Sequence, residues 1–198
     1  PPNTLFAKVA KLEGATNMAA LAIANEPPSI SVVQGFVTTA NALGLKVGYQ
    51  DYSSLQIGTV NVGATVLAMK NANVDGFFSG MLDNTNFAIM EGAKQAGLTL
   101  KAPIQFTGYG QDLLDSPTAL AAAQGGIFIV EQVPFELHTA ATIAEANAFK
   151  KYAHFSGLAG INYTYGWVSA DLWIAGLKAA GKNLTRAGFL KATRNIKG

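Results

Sequence analysis

The stretch KAPIQFTGYGQDLLDS, residues 101–116, holds a strand, its exit loop and the start of a helix. Its β-rich apolar run, residues 104–107, ends at Gly108, and amide and acidic side chains follow directly. Ser116 and Pro117 predict the start of the next helix, because serine is a favourable N-cap and proline suits the first helical position. A strand that ends in glycines, an aromatic residue and carboxylates is typical of open α/β sheets that hold a ligand at this edge.

The same strand-then-helix pattern repeats along the first two thirds of the chain. Apolar runs predict strands at residues 18–24, 45–50, 74–78, 104–107 and 127–133. Helical spacing of apolar side chains predicts helices at residues 4–13, 30–43, 59–72, 85–96 and 118–123. Such alternation predicts an α/β fold with a doubly wound parallel sheet, right-handed crossovers and flanking helices.

The alternation stops near Pro134, where the organisation of the chain changes. Three helices are predicted after it, at residues 138–155, 163–180 and 186–196, the last capped by Thr185. We therefore predict two segments, an α/β domain at 1–134 and a helical segment at 135–198. The window 163–180 is the most apolar, but Asp171 and Lys178 interrupt it, so we interpret it as a buried helix and not as a membrane span.

Composition narrows the classes of function. The 198 residues carry 14 Lys and Arg against 12 Asp and Glu, and no basic run indicates a nucleic-acid partner. The absence of cysteine excludes disulfides and thiolate metal sites, and two histidines are too few for a histidine-rich metal site. No glycine-rich phosphate motif is present, so we predict no cofactor and no metal. Only 13% of residues are charged, which indicates either tight packing of small residues or a face that a missing segment or partner covers.

Polar side chains follow every predicted strand, and alternation places these exit loops at one edge of the sheet. Any single one of them could simply be a polar loop residue or a helix cap, but the whole set favours a ligand site. The candidates in these loops are Ser29, Ser79, Met81, Asp83, Tyr109, Gln111 and Asp112. Tyr163 and Tyr165, at the start of a later helix, could add an aromatic wall, whereas Trp167 is better explained by core packing.

An enzyme would need an activated nucleophile, a positioned base or a metal. Neither His138 nor His154 falls in an exit loop, and no G-x-S-x-G nucleophile motif is present. Asp112 and Asp115 could perform acid–base chemistry, or they could lie at a helix start where the dipole favours anions. We therefore predict a binding protein and no catalytic residues.

Five stretches, in this order, resemble one protein family. They are GFVTTANALGLKVGYQDYS (35–53), NANVDGFFSG (71–80), MEGAKQAGLTLKAPIQFTG (90–108), GGIFIVEQVPF (125–135) and YGWVSADLWIAGLKAAGKN (165–183). The chain is similar over nearly its whole length to the type I periplasmic solute-binding proteins of ABC importers, in the branched-chain amino-acid binding branch. The resemblance implies two lobes around a hinge, with residues 1–134 as the second lobe and residues 135–198 returning to the first.

The resemblance also implies a role for each candidate. Amino-acid-binding members hold the ligand ammonium group with acidic and aromatic side chains of this lobe. Ser29 or Ile30 stands where the family often has tyrosine, and Met81 to Asp83 stand where it is often aromatic. Gln111 and Asp112 fall near its acidic residue. These departures leave the ligand open between an amino acid, an aromatic or other small organic acid, and an amide.

The function implied is that of the substrate-binding component of an ABC importer, with a membrane permease as partner. The expected location is periplasmic or extracellular, anchored at the cell surface. A lobe without its companion is expected to bind weakly and to self-associate through apolar helix faces. The alternatives are a sensory or regulatory ligand-binding domain of the same fold and, less favoured, an enzyme.

Overall fold

The computed structural model describes residues 3–130, 132–182 and 184–196. The chain divides into two compact units, residues 1–130 (unit 1) and residues 131–198 (unit 2). The prediction that residues 135–198 return to a first lobe is not tested by this division and stays a prediction.

Within the described residues, unit 1 contains a five-stranded parallel sheet in the order β2-β1-β3-β4-β5. The strands are β1 (Asn17–Leu21), β2 (Lys46–Asp51), β3 (Gly76–Ser79), β4 (Ala102–Gln105) and β5 (Ile127–Phe128). The helices are α1 (Leu5–Leu12), α2 (Pro27–Ala42), α3 (Gly63–Asn71), α4 (Asp83–Gln95), α5 (Gln111–Asp115) and α6 (Pro117–Ala122). The prediction of a doubly wound parallel sheet with flanking helices is confirmed.

Two neighbouring side chains of β3 belong to the hydrophobic cores on opposite faces of the sheet, because successive residues of a strand point to opposite sides. Phe78 packs with α1 and α2, and its ring stacks on Phe36 with centroids 4.3 Å apart. Phe77 packs on the other face with α3 and α4, which contribute Met69 and Ile89 among others. Both faces are therefore covered, as a parallel sheet requires.

Asp75 ties together the amino ends of three strands. Its carboxylate accepts hydrogen bonds from the backbone N–H of Thr16 (2.9 Å) and of Asn17 (2.8 Å), just before and at the start of β1. Lys101, just before β4, lies 3.1 Å from the same carboxylate. Burial alone would raise the pKa of Asp75, but the hydrogen bonds outweigh it and hold the pKa below its ordinary value.

Some predicted boundaries are wrong in ways that matter for the site. Helix α2 begins at Pro27, where its prolines occupy the first positions, so Ser29 lies in a helix and not in the loop after β1. Strand β4 begins before Pro103 and ends at Gln105, earlier than the glycines. Proline is tolerated there because β5 pairs only with Ile104 and Gln105, which leaves that side of β4 open at residue 103.

Two further elements differ from expectation. Strand β5 covers only residues 127 and 128 of the predicted 127–133, of which residue 131 lies outside the described residues. The short helix α5 was not predicted, because five residues are too few to show helical periodicity. The predicted cap is confirmed: the Ser116 hydroxyl accepts a hydrogen bond from the Ala119 amide at the start of α6.

All of the regular secondary structure in the described residues of unit 2 is helical. A single 3-10 turn (Phe135–Leu137) precedes α7 (Ala140–Tyr152), α8 (Ile161–Ala180) and α9 (Arg186–Arg194), and Thr185 caps α9 as predicted. Helix α8 forms as predicted but is not buried: Val168, Leu172, Trp173 and Ile174 are 44 to 59% exposed. No helix among the described residues is both long and apolar enough to span a membrane.

Candidate functional site

The candidate site is the carboxyl edge of the sheet in unit 1, formed by the loops that leave β1 to β4 and the helix starts that follow them. The direction in which successive strands are added to the sheet reverses between β1 and β3. The helices that follow these two strands, α2 and α4, pack on opposite faces of the sheet. In open parallel sheets the exit loops diverge at this point and leave a crevice. In the described part of the chain, the predicted exit loops therefore lie together at the carboxyl edge of the sheet.

Ser29 bridges the two loops that flank this reversal point. Its hydroxyl accepts a hydrogen bond from the Ile23 amide (3.0 Å) and donates one to the Gly80 carbonyl (3.1 Å). A Cβ atom on residue 80 would lie 2.8 Å from the Ser29 hydroxyl, so glycine is what allows this approach. These contacts give Ser29 a structural role, and a ligand contact for it stays a prediction.

Ser79 and Met81 lie inside the protein, beneath the rim of the edge. The Ser79 hydroxyl donates to the Asn86 side-chain oxygen at 2.6 Å and accepts from the Met81 amide at 3.0 Å. The Met81 side chain belongs to the core on the α3 and α4 face. Both residues are fully or almost fully buried, so they shape the edge from below.

Asn86 was not found from the sequence. It lies on the same face of α4 as Ile89, Met90 and Ala93, which are all buried. A polar amide in an otherwise apolar stripe is the signal that could have indicated a buried hydrogen-bonding role.

The other candidates of unit 1 lie on the rim. Asp83 is the first residue of α4 and is exposed, and its carboxylate accepts a hydrogen bond from the Asn84 amide at 2.8 Å. Tyr109 is partly buried in the loop after β4. Gln111 opens α5 and donates to the Asp115 carboxylate at 2.8 Å, and Asp112 beside it is exposed. The structure brings these side chains to one edge.

Asp51 ends β2 with a buried carboxylate. It accepts hydrogen bonds from the Ser53 amide (3.1 Å), the Ser54 amide (2.9 Å), the Ser54 hydroxyl and the Tyr49 hydroxyl. Burial would raise the pKa of Asp51, but these hydrogen bonds outweigh it and hold the pKa below its ordinary value. The Asp51 carboxylate therefore stays ionised at neutral pH while it orders the exit of β2.

Charge is divided between the two ends of the sheet. Acidic side chains accumulate at the carboxyl edge, namely Glu26, Asp51, Asp83, Asp112 and Asp115. None of the lysines in the described part of unit 1 lies in a carboxyl-edge loop, and the part described contains no arginine. Lys11, Lys70 and Lys94 instead donate to carbonyls near the ends of helices, at 2.6 to 2.8 Å. The side chains of the carboxyl edge therefore carry an excess of negative charge, part of it buried at Asp51, and this charge suits a cationic group.

Tyr163 and Tyr165 lie in the first turns of α8, in unit 2. Tyr163 stacks on Phe155 with centroids 4.8 Å apart and meets Phe149 edge to face at 5.8 Å, yet it remains 48% exposed. Trp167 also contacts Phe149, so the expected packing role for Trp167 is supported. The two tyrosines keep enough exposed ring surface for a ligand contact, which stays a prediction.

Glu145 is the buried acid of unit 2. It lies on α7 near Thr164 of α8. Burial raises the pKa of its carboxyl, and a hydrogen bond with the Thr164 side chain offsets part of the effect. One carboxyl oxygen of Glu145 has no hydrogen-bond partner among the described residues. No group of three or more histidine or acidic side chains in the described ranges could hold a metal ion.

Comparison with known proteins identifies the chain. The profile of the family described as "Periplasmic binding protein" matches residues 2–197. The chain belongs to this family. Its members are binding proteins and not a family of enzymes, in agreement with the prediction of a binding protein. The comparison with curated protein sequences finds no match.

Solved structures show the fold of this periplasmic binding protein. A branched-chain amino acid ABC transporter protein from Thermus thermophilus with bound valine is 18% identical, with a TM-score of 0.81 over 100% of this chain and 52% of its own. A leucine-binding protein from Thermotoga maritima is 16% identical, with a TM-score of 0.77 over 96% and 53%. A fatty acid ABC transporter substrate-binding protein from Thermomonospora curvata is 20% identical, with a TM-score of 0.78 over 96% and 50%.

The chain spans about half the length of these solved structures. Its five-stranded parallel sheet matches one lobe of the type I periplasmic binding fold, as the resemblance of the sequence implied.

Proposed function

We propose that this chain carries the second lobe of the substrate-binding component of an ABC importer, and that its ligand bears an ammonium group, as an amino acid does. The observation that carries the proposal is the anionic carboxyl edge, which has five acidic side chains and no lysine in the described loops. An ammonium group is attracted to such an edge, whereas a ligand with only a carboxylate is repelled. The valine and leucine named for two neighbours agree with this class of ligand, and the fatty acid named for the third does not.

The rim residues are the proposed ligand contacts. Asp112 and Asp83 supply carboxylates, and Gln111 and Tyr109 supply polar groups from the loop after β4. A lobe that closes over the ligand expels water, and the attraction between ammonium and carboxylate strengthens in that drier environment. Ser29, Ser79 and Met81 act behind this rim, and Tyr163 and Tyr165 add an aromatic wall.

The helices of unit 2 are proposed to complete the first lobe. Helix α8 exposes Leu172 and Trp173 by more than half, and an apolar helix face of this kind is normally covered by further protein. The ligand would then bridge two lobes and favour the closed state, which a membrane permease recognises. Such a protein works in the periplasm or at the outer cell surface.

The test is a calorimetric titration of the protein that joins this chain to its first lobe. L-Leucine is compared with 4-methylpentanoate, which is leucine without its amino group. We expect heat of binding with leucine and none with the analogue, and we expect Asp112→Asn to weaken leucine binding by 10 to 100-fold, the usual loss for a charged hydrogen bond.

Glu91→Gln is the matched control, because Glu91 is exposed in the middle of α4, away from the carboxyl edge. Equal affinity for leucine and 4-methylpentanoate would overturn the ammonium proposal. Binding of 4-methylpentanoate alone would move the ligand to the class of simple carboxylic acids.

A further inference from the structure

The loops that leave β3 and β4 are joined beneath the rim by one buried amide, that of Asn86. We infer that Asn86 is a positioning residue that holds these two loops in the geometry that receives the ligand. The inference rests on the proposed function of the carboxyl edge, and it adds a residue that touches no ligand and yet sets the affinity.

The Asn86 side chain forms hydrogen bonds with the exits of both strands. Its oxygen accepts from the Ser79 hydroxyl at 2.6 Å. Its nitrogen donates to the Met81 carbonyl at 3.2 Å and lies 3.4 Å from the Thr107 hydroxyl. The Thr107 hydroxyl in turn donates to the Met81 carbonyl at 3.0 Å. Asn86 thus binds the exit of β3 directly and the exit of β4 through Thr107.

These contacts lie directly below the rim. The bonded segment of the β3 exit, residues 79–81, precedes Asp83, and Thr107 precedes Tyr109, Gln111 and Asp112. Asn86 itself is 0% exposed, so it cannot meet a ligand. Loops that are already held in place lose less conformational freedom on binding, and affinity rises accordingly. Affinity is therefore the property that the Asn86 contacts control, in addition to stability.

Asn17 offers a matched control at the opposite edge of the same sheet. It is 6% exposed, and its side-chain nitrogen donates to the carbonyls of Ala72 (2.8 Å) and Asn73 (3.0 Å). Replacing either asparagine by alanine removes a buried amide. Asn17→Ala takes the side-chain donor from two backbone carbonyls, and Asn86→Ala takes one donor from the Met81 carbonyl and the acceptor from the Ser79 hydroxyl. The two variants should therefore lose similar stability, and only one of them alters the carboxyl edge.

The experiment compares Asn86→Ala with Asn17→Ala in the protein that joins this chain to its first lobe. The first readout is hydrogen exchange at residues 79–83 and 106–112 without ligand, and the second is leucine affinity at a temperature where both variants are folded. We expect faster exchange in both segments and about tenfold weaker binding for Asn86→Ala only, a factor that corresponds to roughly 1.4 kcal/mol.

The exchange readout separates this inference from the proposed function. If Asn86→Ala shows faster exchange but the unaltered protein does not bind leucine, the proposed ligand is rejected. The coupling of the two loops by Asn86 is then retained. Equal effects of the two variants on exchange and affinity would overturn the positioning role. Thr107 is only partly buried, so Thr107→Val, a nearly isosteric change, gives a second test if Asn86→Ala does not fold. It removes the link between the two loops, and unchanged exchange at residues 106–112 would also overturn the inference.

Discussion

Replacing Asp75 by alanine should lower the free energy of unfolding by about 3 kcal/mol, and nearly all of this loss should come from hydrogen bonds and not from the ion pair with Lys101. Hydrogen bonds to a charged group contribute about 1.5 to 3 kcal/mol each. The Asp75 carboxylate accepts hydrogen bonds from two backbone amides, those of Thr16 and Asn17. The Asn17 amide is buried, so no water can replace the carboxylate as its acceptor. Thr16 is exposed, so its amide can be hydrated and adds less to the loss.

The Lys101 ammonium group lies 3.1 Å from the Asp75 carboxylate, but the lysine side chain is 46% exposed. Pairs of this kind contribute about 0.2 to 1 kcal/mol. Lys101→Met should therefore cost at most about 1 kcal/mol, although the lysine also donates to the Gly14 carbonyl. The assay is urea unfolding followed by far-ultraviolet circular dichroism, because both tryptophans lie in unit 2 and do not report on Asp75.

The pH dependence provides a second check on the same residue. The folded-state pKa of Asp75 is lowered, so its contribution is complete above the unfolded-state value of about 4 and is lost as pH falls through the folded-state pKa. The difference between the unaltered protein and Asp75→Ala should shrink in that acidic range. A loss for Lys101→Met as large as that for Asp75→Ala would refute the assignment of the stability to the hydrogen bonds.

Four other substitutions test the packing and the buried charge. Gly76→Ala should destabilise the protein by about 2 kcal/mol, because the new Cβ would lie 2.8 Å from the Ala102 carbonyl oxygen. Gly35→Ala, in an open helical position, should stabilise it by about 0.5 to 1 kcal/mol in the same urea assay. Phe78→Ala should cost about 3 to 5 kcal/mol by thermal or urea unfolding, since it opens a cavity among stacked rings. Glu145→Gln should become progressively more stable than the unaltered protein as pH rises from about 4 through the folded-state pKa of Glu145. The reason is that this pKa is raised, so ionisation of the buried carboxyl opposes folding. Parallel profiles of stability against pH for the two proteins would contradict this.

The sequence predicted the alternation of unit 1 because each strand is a short apolar run and each helix ends in a recognisable signal. Ser116 and Thr185 accept the hydrogen bonds that their position before a helix predicts. Boundaries failed where a tertiary contact decides them. Nothing local to Pro103 shows that β5 pairs with β4 only at residues 104 and 105. Nothing in residues 27–29 shows that the prolines begin the helix instead of ending the loop.

The candidate site was predicted as a set of loops, and the roles inside the set could not be predicted. Ser29 and Ser79 have the same polarity as true rim residues, but both hydroxyls are engaged in internal hydrogen bonds, which depends on packing across distant segments. Asn86 was missed for the converse reason, since its role lies in contacts with Met81 and Thr107, five and 21 residues away. Exposure of α8 was also unpredictable, because periodicity marks an apolar helix without showing what covers it.

The division of charge in unit 1 gives this body an electric dipole that runs along the strands. Lys11, Lys46, Lys70, Lys94 and Lys101 lie toward the end where the strands begin, and they outnumber the carboxylates of Glu13 and Asp75 there. Five carboxylates lie where the strands finish. A zwitterion has no net charge, so this field exerts a torque on it and turns its ammonium group toward the carboxylates before contact. The range of that guidance is set by the screening length, about 8 Å at physiological ionic strength, so added salt should weaken it.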